Sequence, residues 1–323
     1  MDKKVFVTHQ LPGDRIHDLA QACDMNVWMG PGSLPVEGLR EELPGNHGLL
    51  CLLTDRVDCT LLDQMPGLEF VSSMSAGVDH IDVQALTERG IPLGHTPGVL
   101  VETTADTTFA LMLSAARRVV EADRYVRQGN WRADNAWSPE FFTGKDVGGA
   151  TLGIIGLGAI GQAVAKRAAS FGMRVLGYSR SPQQVPGVEN VSLEDLLCDS
   201  DFVSVHLPLT DDTRLLLNAD RISSMKSGAV LVNTARGGIV DEIALAKSLA
   251  SGHLWGAAID VFEQEPIDME NPLLSLPNVV VAPHIGSATI KTRAKMANLA
   301  ADNALAAIKG LPMPFCVNPE VYE

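Results

Sequence analysis

The sequence predicts an α/β protein built from two doubly wound parallel-sheet domains, and three observations support this. Short apolar, strand-like runs alternate with helical stretches along the chain, which is typical of parallel sheets covered on both faces. The 323 residues are 46% hydrophobic, enough for two cores. A glycine-rich turn joins a strand to a helix in mid-chain, so a separate set of βα units precedes the domain to which that turn belongs.

The first hundred residues supply that earlier set of βα units. Helical stretches such as Arg15–Cys23 and Thr60–Met65 separate the strand-like runs Val5–Thr8, Gly48–Leu53 and Glu69–Met74. The alternation of strand-like and helical runs is interrupted near Gly98. Thr103–Asp106 resembles a capping box and predicts a long helix that continues to about Gln128. The stretch Ala133–Gly149, rich in Trp, Phe, Pro and Gly, is predicted to be irregular.

The glycine-rich turn follows the predicted strand Thr151–Ile155 and has the spacing G-x-G-x-x-G. Its first glycine permits a tight turn, its second lets the backbone approach a pyrophosphate, and its third allows close packing of helix on strand. Gly172 suits the end of the helix, and Arg174–Tyr178 is the next predicted strand. The context favours a Rossmann-type dinucleotide site over an ordinary strand–turn–helix. The residues of the turn predicted to bind cofactor are Gly156, Gly158, Ala159, Ile160 and Gly161.

The end of the second strand predicts which nicotinamide nucleotide binds. An NAD site places an acidic residue there to bind the ribose hydroxyls. This chain instead has Ser179, Arg180 and Ser181, and the next acid is Glu189. A guanidinium flanked by hydroxyls suits a 2′-phosphate, so NADP(H) is predicted to be preferred and NAD(H) remains an alternative. A solvated surface arginine is the competing interpretation of Arg180.

Charge and composition narrow the class of partner. The net charge of −14 argues against nucleic acid or an anionic membrane surface as a main partner. No apolar run approaches the length of a membrane span, so we expect a soluble, cytoplasmic protein. The five cysteines are scattered and lack a C-x-x-C pair. They are predicted to be reduced thiols that mostly fill the core, with no metal site and no disulfide framework.

Three later segments each place a chemically useful side chain after a predicted strand. Arg236 follows the strand Ala229–Asn233, and an arginine fork suits a carboxylate. Glu265 follows the strand Gly256–Asp260, and His284 follows Val279–Ala282. Taken alone, each residue has an interpretation without a catalytic role. Glu265 would be a surface acid, and His284 would be a structural or exposed histidine.

For Arg236 the ordinary alternative is a loop ion pair with Asp241 or Glu242. Together the three residues favour reduction of a 2-oxo acid. Arg236 would bind the carboxylate, and His284 would donate a proton to the carbonyl oxygen. Glu265 would orient the imidazole and favour its protonated form.

At these residues the chain resembles the D-2-hydroxyacid dehydrogenases along nearly its whole length. Within that family it is most similar to the glyoxylate/hydroxypyruvate reductases, including the branch also called 2-ketogluconate reductase. The resemblance implies reduction of glyoxylate, hydroxypyruvate or 2-ketogluconate to R-2-hydroxy acids, for which Ser179–Ser181 predict NADPH as the preferred hydride donor. The matching stretches are Gly153–Gly161, Asn233–Glu242, Gly256–Pro266 and Pro283–Thr289.

The resemblance also implies an architecture and further site residues. A flavodoxin-like substrate domain would comprise residues 1–99 and 288–323, with a Rossmann cofactor domain at 100–287 and a substrate cleft between them. The long helix after Gly98 would build a homodimer. Arg236, Glu265 and His284 would be the catalytic set, and Asp260 would meet the nicotinamide carboxamide. The other implied cofactor contacts are Leu207, Pro208, Thr213, Thr234, Ala235 and Gly286.

The substrate loop departs from the closest reductase branches, which carry a Val-Gly-Tyr-type run. This chain has Ser75, Ala76 and Gly77, whose backbone N–H groups are expected to bind the substrate carboxylate. The departure leaves open which side chain on the 2-oxo acid is preferred. Trp137 and Phe141 either enter a partner's cleft or pack at an interface.

Two alternatives of different kinds remain from the sequence. One is another dehydrogenase of the same family, such as a 3-phosphoglycerate dehydrogenase. The absence of a regulatory domain after Gly310, together with Ser179–Ser181, weighs against it. The other is a nucleotide-sensing corepressor, which would usually carry disordered peptide-docking segments. Turnover of 2-oxo acids distinguishes the enzyme from the corepressor.

Overall fold

The computed structural model describes residues 3–30, 38, 41–181 and 183–323. The chain divides into two compact units. The first comprises Met1–Leu100 and Ala288–Glu323, and the second comprises Val101–Ser287. All pairs of neighbouring strands among the described residues are parallel, which confirms the predicted α/β class. The strands are β1 (Lys4–Val7), β2 (Asp24–Val27), β3 (Gly48–Cys51), β4 (Phe70–Ser73), β5 (Leu93–Gly94), β6 (Thr151–Ile155), β7 (Arg174–Tyr178), β8 (Val188–Asn190), β9 (Phe202–Val205), β10 (Val230–Asn233), β11 (Gly256–Ile259) and β12 (Val279–Val281).

The α-helices alternate with these strands. Short 3-10 turns cover Ala133–Asn135, Gly237–Ile239, Pro272–Ser275 and Pro319–Tyr322. The helices with described bounds are α1 (Arg15–Ala22), α2 (Cys59–Leu62), α3 (Val83–Glu88), α4 (Val101–Ala116), α5 (Val119–Arg127), α6 (Ala159–Ser170), α7 (Leu193–Asp199), α8 (Ala219–Ser224), α9 (Glu242–Ala250) and α10 (Ile290–Ile308).

The first unit is built on a five-stranded sheet in the order β2-β1-β3-β4-β5, the strand order of flavodoxin-like folds. Apolar residues of α1 and α10, such as Leu19 and Ala300, cover one face of this sheet. Residues of α2 and α3, such as Leu61 and Leu86, cover the other face. The chain returns to this unit only through α10, because the whole second unit is inserted before it.

The second unit carries a seven-stranded sheet in the order β12-β11-β10-β9-β6-β7-β8. Its first six strands along the chain have the 3-2-1-4-5-6 arrangement of the Rossmann fold, so the strand order reverses between β6 and β9. Helices α4 and α6 cover one face and α7, α8 and α9 the other. Since all strands are parallel, the segments that follow β6, β7, β9, β10, β11 and β12 emerge at one edge of the sheet.

The predicted strands are confirmed to within a residue or two, but three strands were missed. β2 alternates exposed and half-buried residues, β5 has only two residues, and β8 is polar and largely exposed. Each lies at an edge of its sheet, where one neighbouring strand supplies the hydrogen bonds and a continuous apolar run is not required. Short edge strands therefore leave little periodicity in the sequence.

The single long helix predicted after Gly98 is wrong, because two helices meet at Arg118, whose φ is 56°. The carbonyl of Ala116 accepts a hydrogen bond from the backbone N–H of Lys145 at 2.8 Å. In a continuous helix that carbonyl would accept from an N–H of the next helical turn instead. The predicted capping box is also wrong. The helix begins at Val101, and Thr103 lies inside it, with its carbonyl accepting from the Thr107 hydroxyl at 3.0 Å.

The five cysteines are all free thiols. Cys23 and Cys51 are buried in the core and Cys316 packs against it partly buried, whereas Cys59 and Cys198 are exposed. Among the described residues, no cluster of three or more His, Cys, Asp or Glu side chains is placed to hold a metal ion. The described helices include none that is both long and apolar enough to cross a membrane.

Candidate active site

The glycine-rich turn between β6 and α6 is shaped by contacts that only glycine permits at two positions. Gly156 has φ of 102°, and a Cβ there would lie 2.5 Å from the carbonyl oxygen of His206. A Cβ on Gly161 would lie 2.0 Å from the carbonyl oxygen of Gly156. Gly158 differs, because a Cβ there would meet nothing within 4 Å. The turn therefore has open space at Gly158, the N-cap of α6, where a pyrophosphate would approach the first N–H groups at Ala159 and Ile160.

The segment after β7 holds the predicted phosphate-binding residues. The hydroxyl of Ser179 donates to the carbonyl of Ser181 at 2.7 Å, which fixes the turn. The Arg180 side chain is 87% exposed and its guanidinium lies 3.2 Å from the carboxylate of Asp212. The structure thus places Arg180 beside the loop after β9, although the exposure also agrees with a surface arginine.

The loop after β9 is braced by one threonine. The Thr213 hydroxyl donates to the carbonyl of Pro208 at 2.7 Å and accepts from the backbone N–H of Thr210 at 2.8 Å. Leu207 packs against the apolar core on the α7–α9 side of the sheet. These contacts hold residues 207–213 as a compact turn at the carboxyl edge.

Arg236 is positioned by Asn233, which is 1% exposed. The Asn233 amide donates to the carbonyl of Arg236 at 2.9 Å, and its side-chain oxygen accepts from the N–H of Ala235 at 3.1 Å. The neighbouring Thr234 is held as well, because its hydroxyl is hydrogen-bonded to the hydroxyl of Thr108 at 2.8 Å. The sequence motif contained Asn233, but the spacing alone did not reveal its bracing role.

The two acids offered as alternative partners of Arg236 have other partners. Asp241 accepts from the backbone N–H of Ala244 at 2.9 Å and so caps α9. The carboxylate of Glu242 accepts from the backbone N–H of Glu263 at 2.7 Å. Both carboxylates thus accept hydrogen bonds from groups other than Arg236.

His284 and Glu265 form the hydrogen-bonded pair that the sequence predicted. His284 Nδ1 lies 2.7 Å from Glu265 Oε2, and both side chains are about three-quarters buried, being 23% and 27% exposed. Glu265 Oε1 accepts from the backbone N–H of Phe262 at 2.9 Å. Burial would raise the pKa of Glu265, but the hydrogen bond and charge of His284, the Phe262 N–H and the charge of Arg236 together lower it below its usual value. Glu265 is therefore an ionised carboxylate that is hydrogen-bonded to the Nδ1 edge of the imidazole.

Asp260 has a structural role that sequence analysis missed. It is 1% exposed, and its two oxygens accept from the backbone N–H groups of Ile285 and Gly286, both at 2.8 Å. Its own carbonyl accepts from the N–H of His284 at 2.8 Å. These three bonds hold His284 in the left-handed conformation, with φ of 53°. Burial raises the pKa of Asp260 against the opposing effect of these donors.

The substrate loop of the first unit has its carbonyl groups turned into the protein. The carbonyls of Ser75, Ala76 and Gly77 accept from the Thr96 N–H at 2.8 Å, from His95 Nδ1 at 3.0 Å and from the Ser75 hydroxyl at 2.7 Å. Within the described part of the chain, no acceptor is found for the backbone N–H groups of Ala76 and Gly77. The loop therefore offers adjacent N–H donors, a geometry that suits an anion.

The two aromatic residues considered as partner contacts, Trp137 and Phe141, lie in the second unit. Trp137 is 78% exposed. Phe141 makes edge contacts with Tyr125 and Phe142, with ring centroids 5.8 and 4.9 Å apart. Phe141 is thus part of an intramolecular aromatic cluster next to α5, and whether either residue reaches a partner stays a prediction.

Comparisons with known proteins agree with this architecture. Residues 109–286 match the family model described as D-isomer specific 2-hydroxyacid dehydrogenase, NAD binding domain. The chain is 46% identical to a glyoxylate reductase of Korarchaeum cryptofilum, over 100% of this chain and 98% of that relative. A crystal structure of a Thermus thermophilus protein superposes with a TM-score of 0.91 at 47% identity, covering 97% of this chain and 99% of that one.

A more distant structure was solved with a nucleotide. It is an NADPH-dependent glyoxylate/hydroxypyruvate reductase of Sinorhizobium meliloti in complex with NADP and malonate, with a TM-score of 0.87 and 31% identity. The alignment covers 99% of this chain and 98% of that chain. The chain belongs to the D-isomer specific 2-hydroxyacid dehydrogenase family. Its matching NAD-binding domain and its relatives make it an NAD(P)-dependent dehydrogenase.

Proposed function

We propose that this dehydrogenase reduces glyoxylate, and with it hydroxypyruvate, to the R-2-hydroxy acid and prefers NADPH to NADH. The observation that carries the proposal is the 2.7 Å His284–Glu265 pair at the sheet edge that also presents Arg236. The substrate class is supported by the relatives, which include an archaeal glyoxylate reductase and an NADPH-dependent glyoxylate/hydroxypyruvate reductase. The larger 2-ketogluconate is a third candidate substrate.

The three proposed catalytic residues would divide the work of the reaction between them. Arg236 binds the substrate carboxylate through its planar fork. His284 donates a proton to the carbonyl oxygen as that oxygen gains charge. Glu265, a carboxylate with a lowered pKa, accepts from Nδ1 and so directs Nε2 to the substrate. The N–H groups of Ser75, Ala76 and Gly77 are proposed as further carboxylate donors.

The cofactor would be held by the carboxyl edge of the second unit and supplies the hydride when bound. The open position at Gly158 fits a pyrophosphate at the start of α6. We assign the 2′-phosphate to Ser179, Arg180 and Ser181, because none of these three residues is acidic and the phosphate would replace Asp212 as the partner of Arg180. The remaining proposed contacts are Gly156, Ala159, Ile160, Gly161, Leu207, Pro208, Thr213, Thr234, Ala235, Asp260 and Gly286.

The proposal extends to assembly and to the two units. The first unit is assigned to substrate and the second to cofactor. A homodimer would form on α4 and α5, where Val119 and Val126 are 52% and 51% exposed. A groove of about 240 Å³ lies along another part of α5, lined by Val120, Arg124 and Trp255 among others. Val119 and Val126 are seven residues apart and therefore lie on one face of α5, and an exposed apolar face is typical of an interaction surface.

Steady-state kinetics test the function. Glyoxylate, hydroxypyruvate and 2-ketogluconate are each assayed with NADPH and NADH, and the wild-type protein is expected to be fastest with glyoxylate and NADPH. In His284→Ala, kcat is expected to fall roughly 10²- to 10⁴-fold while the Kd for NADPH stays near the wild-type value, since a general acid has been removed. Wild-type turnover in this variant would refute the role of His284, and a panel without turnover would refute the function.

A further inference from the structure

Glu242, the first residue of α9, is a buried carboxylate that the proposed reaction does not use. It is 9% exposed. Its Oε1 accepts from the backbone N–H of Glu263 at 2.7 Å, and its Oε2 accepts from the side-chain amide of Asn271 at 2.5 Å. Both donors flank Glu265 along the chain. A carboxylate this buried is tolerated because it is hydrogen-bonded, so its two bonds must persist in the folded protein.

These bonds are not needed to begin the helix. Asp241 already caps α9 by accepting from the N–H of Ala244. The negative charge of Glu242 would interact favourably with the positive N-terminal end of the helix dipole in any rotamer, so the dipole does not explain the rotamer it adopts. Its side chain instead reaches the segment between β11 and the 3-10 turn Pro272–Ser275. The two donors in that segment, Glu263 and Asn271, are 21 and 29 residues further along the chain.

The same segment is also pressed against the loop that follows Arg236. A Cβ on Gly237 would lie 1.8 Å from the carbonyl carbon of Phe262, so the two backbones are in direct contact. The N–H of Phe262, immediately before Glu263, donates to Glu265 at 2.9 Å. A continuous set of contacts therefore runs from Glu242 through the backbone at Phe262 and Glu263 to the Glu265–His284 pair.

We propose that Glu242 is a positioning residue, which fixes the loop carrying Glu265 and thereby holds the imidazole of His284 at the angle that proton transfer requires. The inference rests on the proposed function of that pair. A small displacement of an orienting group reduces the rate more than it reduces binding, because proton transfer depends steeply on geometry. Loss of the Glu242 bonds should therefore lower kcat far more than it changes cofactor affinity.

A reciprocal exchange of hydrogen-bonding groups tests the proposal. In Glu242→Gln, the new amide faces the Asn271 amide, so two donors meet. In Asn271→Asp, two carboxylates meet. The double variant restores one donor and one acceptor and keeps an oxygen for the N–H of Glu263. We expect kcat for glyoxylate to fall roughly tenfold in each single variant, the loss typical of one hydrogen bond to a charged group, and to return to within a few-fold of wild type in the double.

Two readouts separate positioning from general stability. The acidic limb of the pH–rate profile should move in both single variants and return in the double, while the Kd for NADPH stays constant. The downfield Nδ1–H resonance of His284, assigned by its loss in His284→Gln, should broaden in the singles and sharpen in the double. Asp241→Asn is the matched control, because asparagine retains the helix cap and the variant should behave as wild type.

The outcomes distinguish this inference from the function. If the double variant recovers its Tm but neither the pH profile nor the resonance, Glu242 is only structural and the proposal is wrong. If wild-type protein reduces none of the acids while the resonance still follows the exchange, the proposed function fails and the positioning role stands. If the wild-type protein is active but neither the pH profile nor the resonance changes in the variants, the positioning role is wrong and the proposed function stands.

Discussion

His206 gives the sharpest pH prediction, because the folded protein keeps its imidazole neutral. The residue directly follows β9, and its Nε2 lies 2.7 Å from the Ser204 hydroxyl, while its Nδ1 is buried and has no partner among the described residues. Burial lowers the pKa of His206 to about 3. In the unfolded chain its pKa would be about 6.5. The unfolded state therefore binds an extra proton below that value, and the stability associated with His206 falls as pH drops from 6.5 toward 3.

The size of this effect follows from the pKa of the imidazole in the unfolded chain. Between about pH 7.5 and pH 5, protonation of the unfolded imidazole lowers the free energy of unfolding by about 2 kcal/mol. Because the folded pKa lies well below 5, the unfolded value alone sets this figure. The variant His206→Gln keeps a group that can reach Ser204 but does not titrate, so its free energy of unfolding should change by about 2 kcal/mol less over the same interval.

Urea unfolding followed by circular dichroism at both pH values measures that difference. Comparing pH-induced changes, rather than stabilities, cancels the cost of the substitution itself and the titration of all other groups. Ser204→Ala is the matched control, since it retains the imidazole and should keep the wild-type pH dependence at lower stability. If wild type and His206→Gln lose the same stability on acidification, the buried neutral histidine is refuted.

Three further predictions concern the proposed site. Arg236→Lys keeps the charge but loses the fork, so KM for glyoxylate should rise and kcat should fall; unchanged kinetics would assign the carboxylate to another group. Arg180→Ala should weaken NADPH by roughly tenfold, a modest factor because the side chain is exposed, and leave NADH unaffected in titrations of protein fluorescence. Equal weakening of both nucleotides would make Arg180 a surface residue. Ser75→Ala removes the donor to the Gly77 carbonyl, so the N–H groups of the loop lose their orientation and KM for glyoxylate should rise severalfold, about the worth of one hydrogen bond; a normal KM would exclude this loop from substrate binding.

The sequence by itself determined the fold class, because the signals for it are local. Strand β6, the glycine turn and helix α6 lie in one continuous segment, and the spacing of the glycines within that segment is enough to recognise the turn. The order of Arg236, Glu265 and His284 after successive strands also predicted that they share an edge, since parallel strands end together. The His284–Glu265 pair follows from that rule, and the structure has it at 2.7 Å.

Only the tertiary structure decided the features that depend on distant partners. The break at Arg118 follows from the approach of Lys145 to the carbonyl of Ala116, and no helix propensity encodes that contact. Asp260 and Glu242 look like ordinary acids at the ends of elements, and their roles come from donors more than 20 residues away. The role of a buried carboxylate depends on the donors around it, and only folding brings those donors together, so the chain order alone could not identify the residues that support the proposed active site.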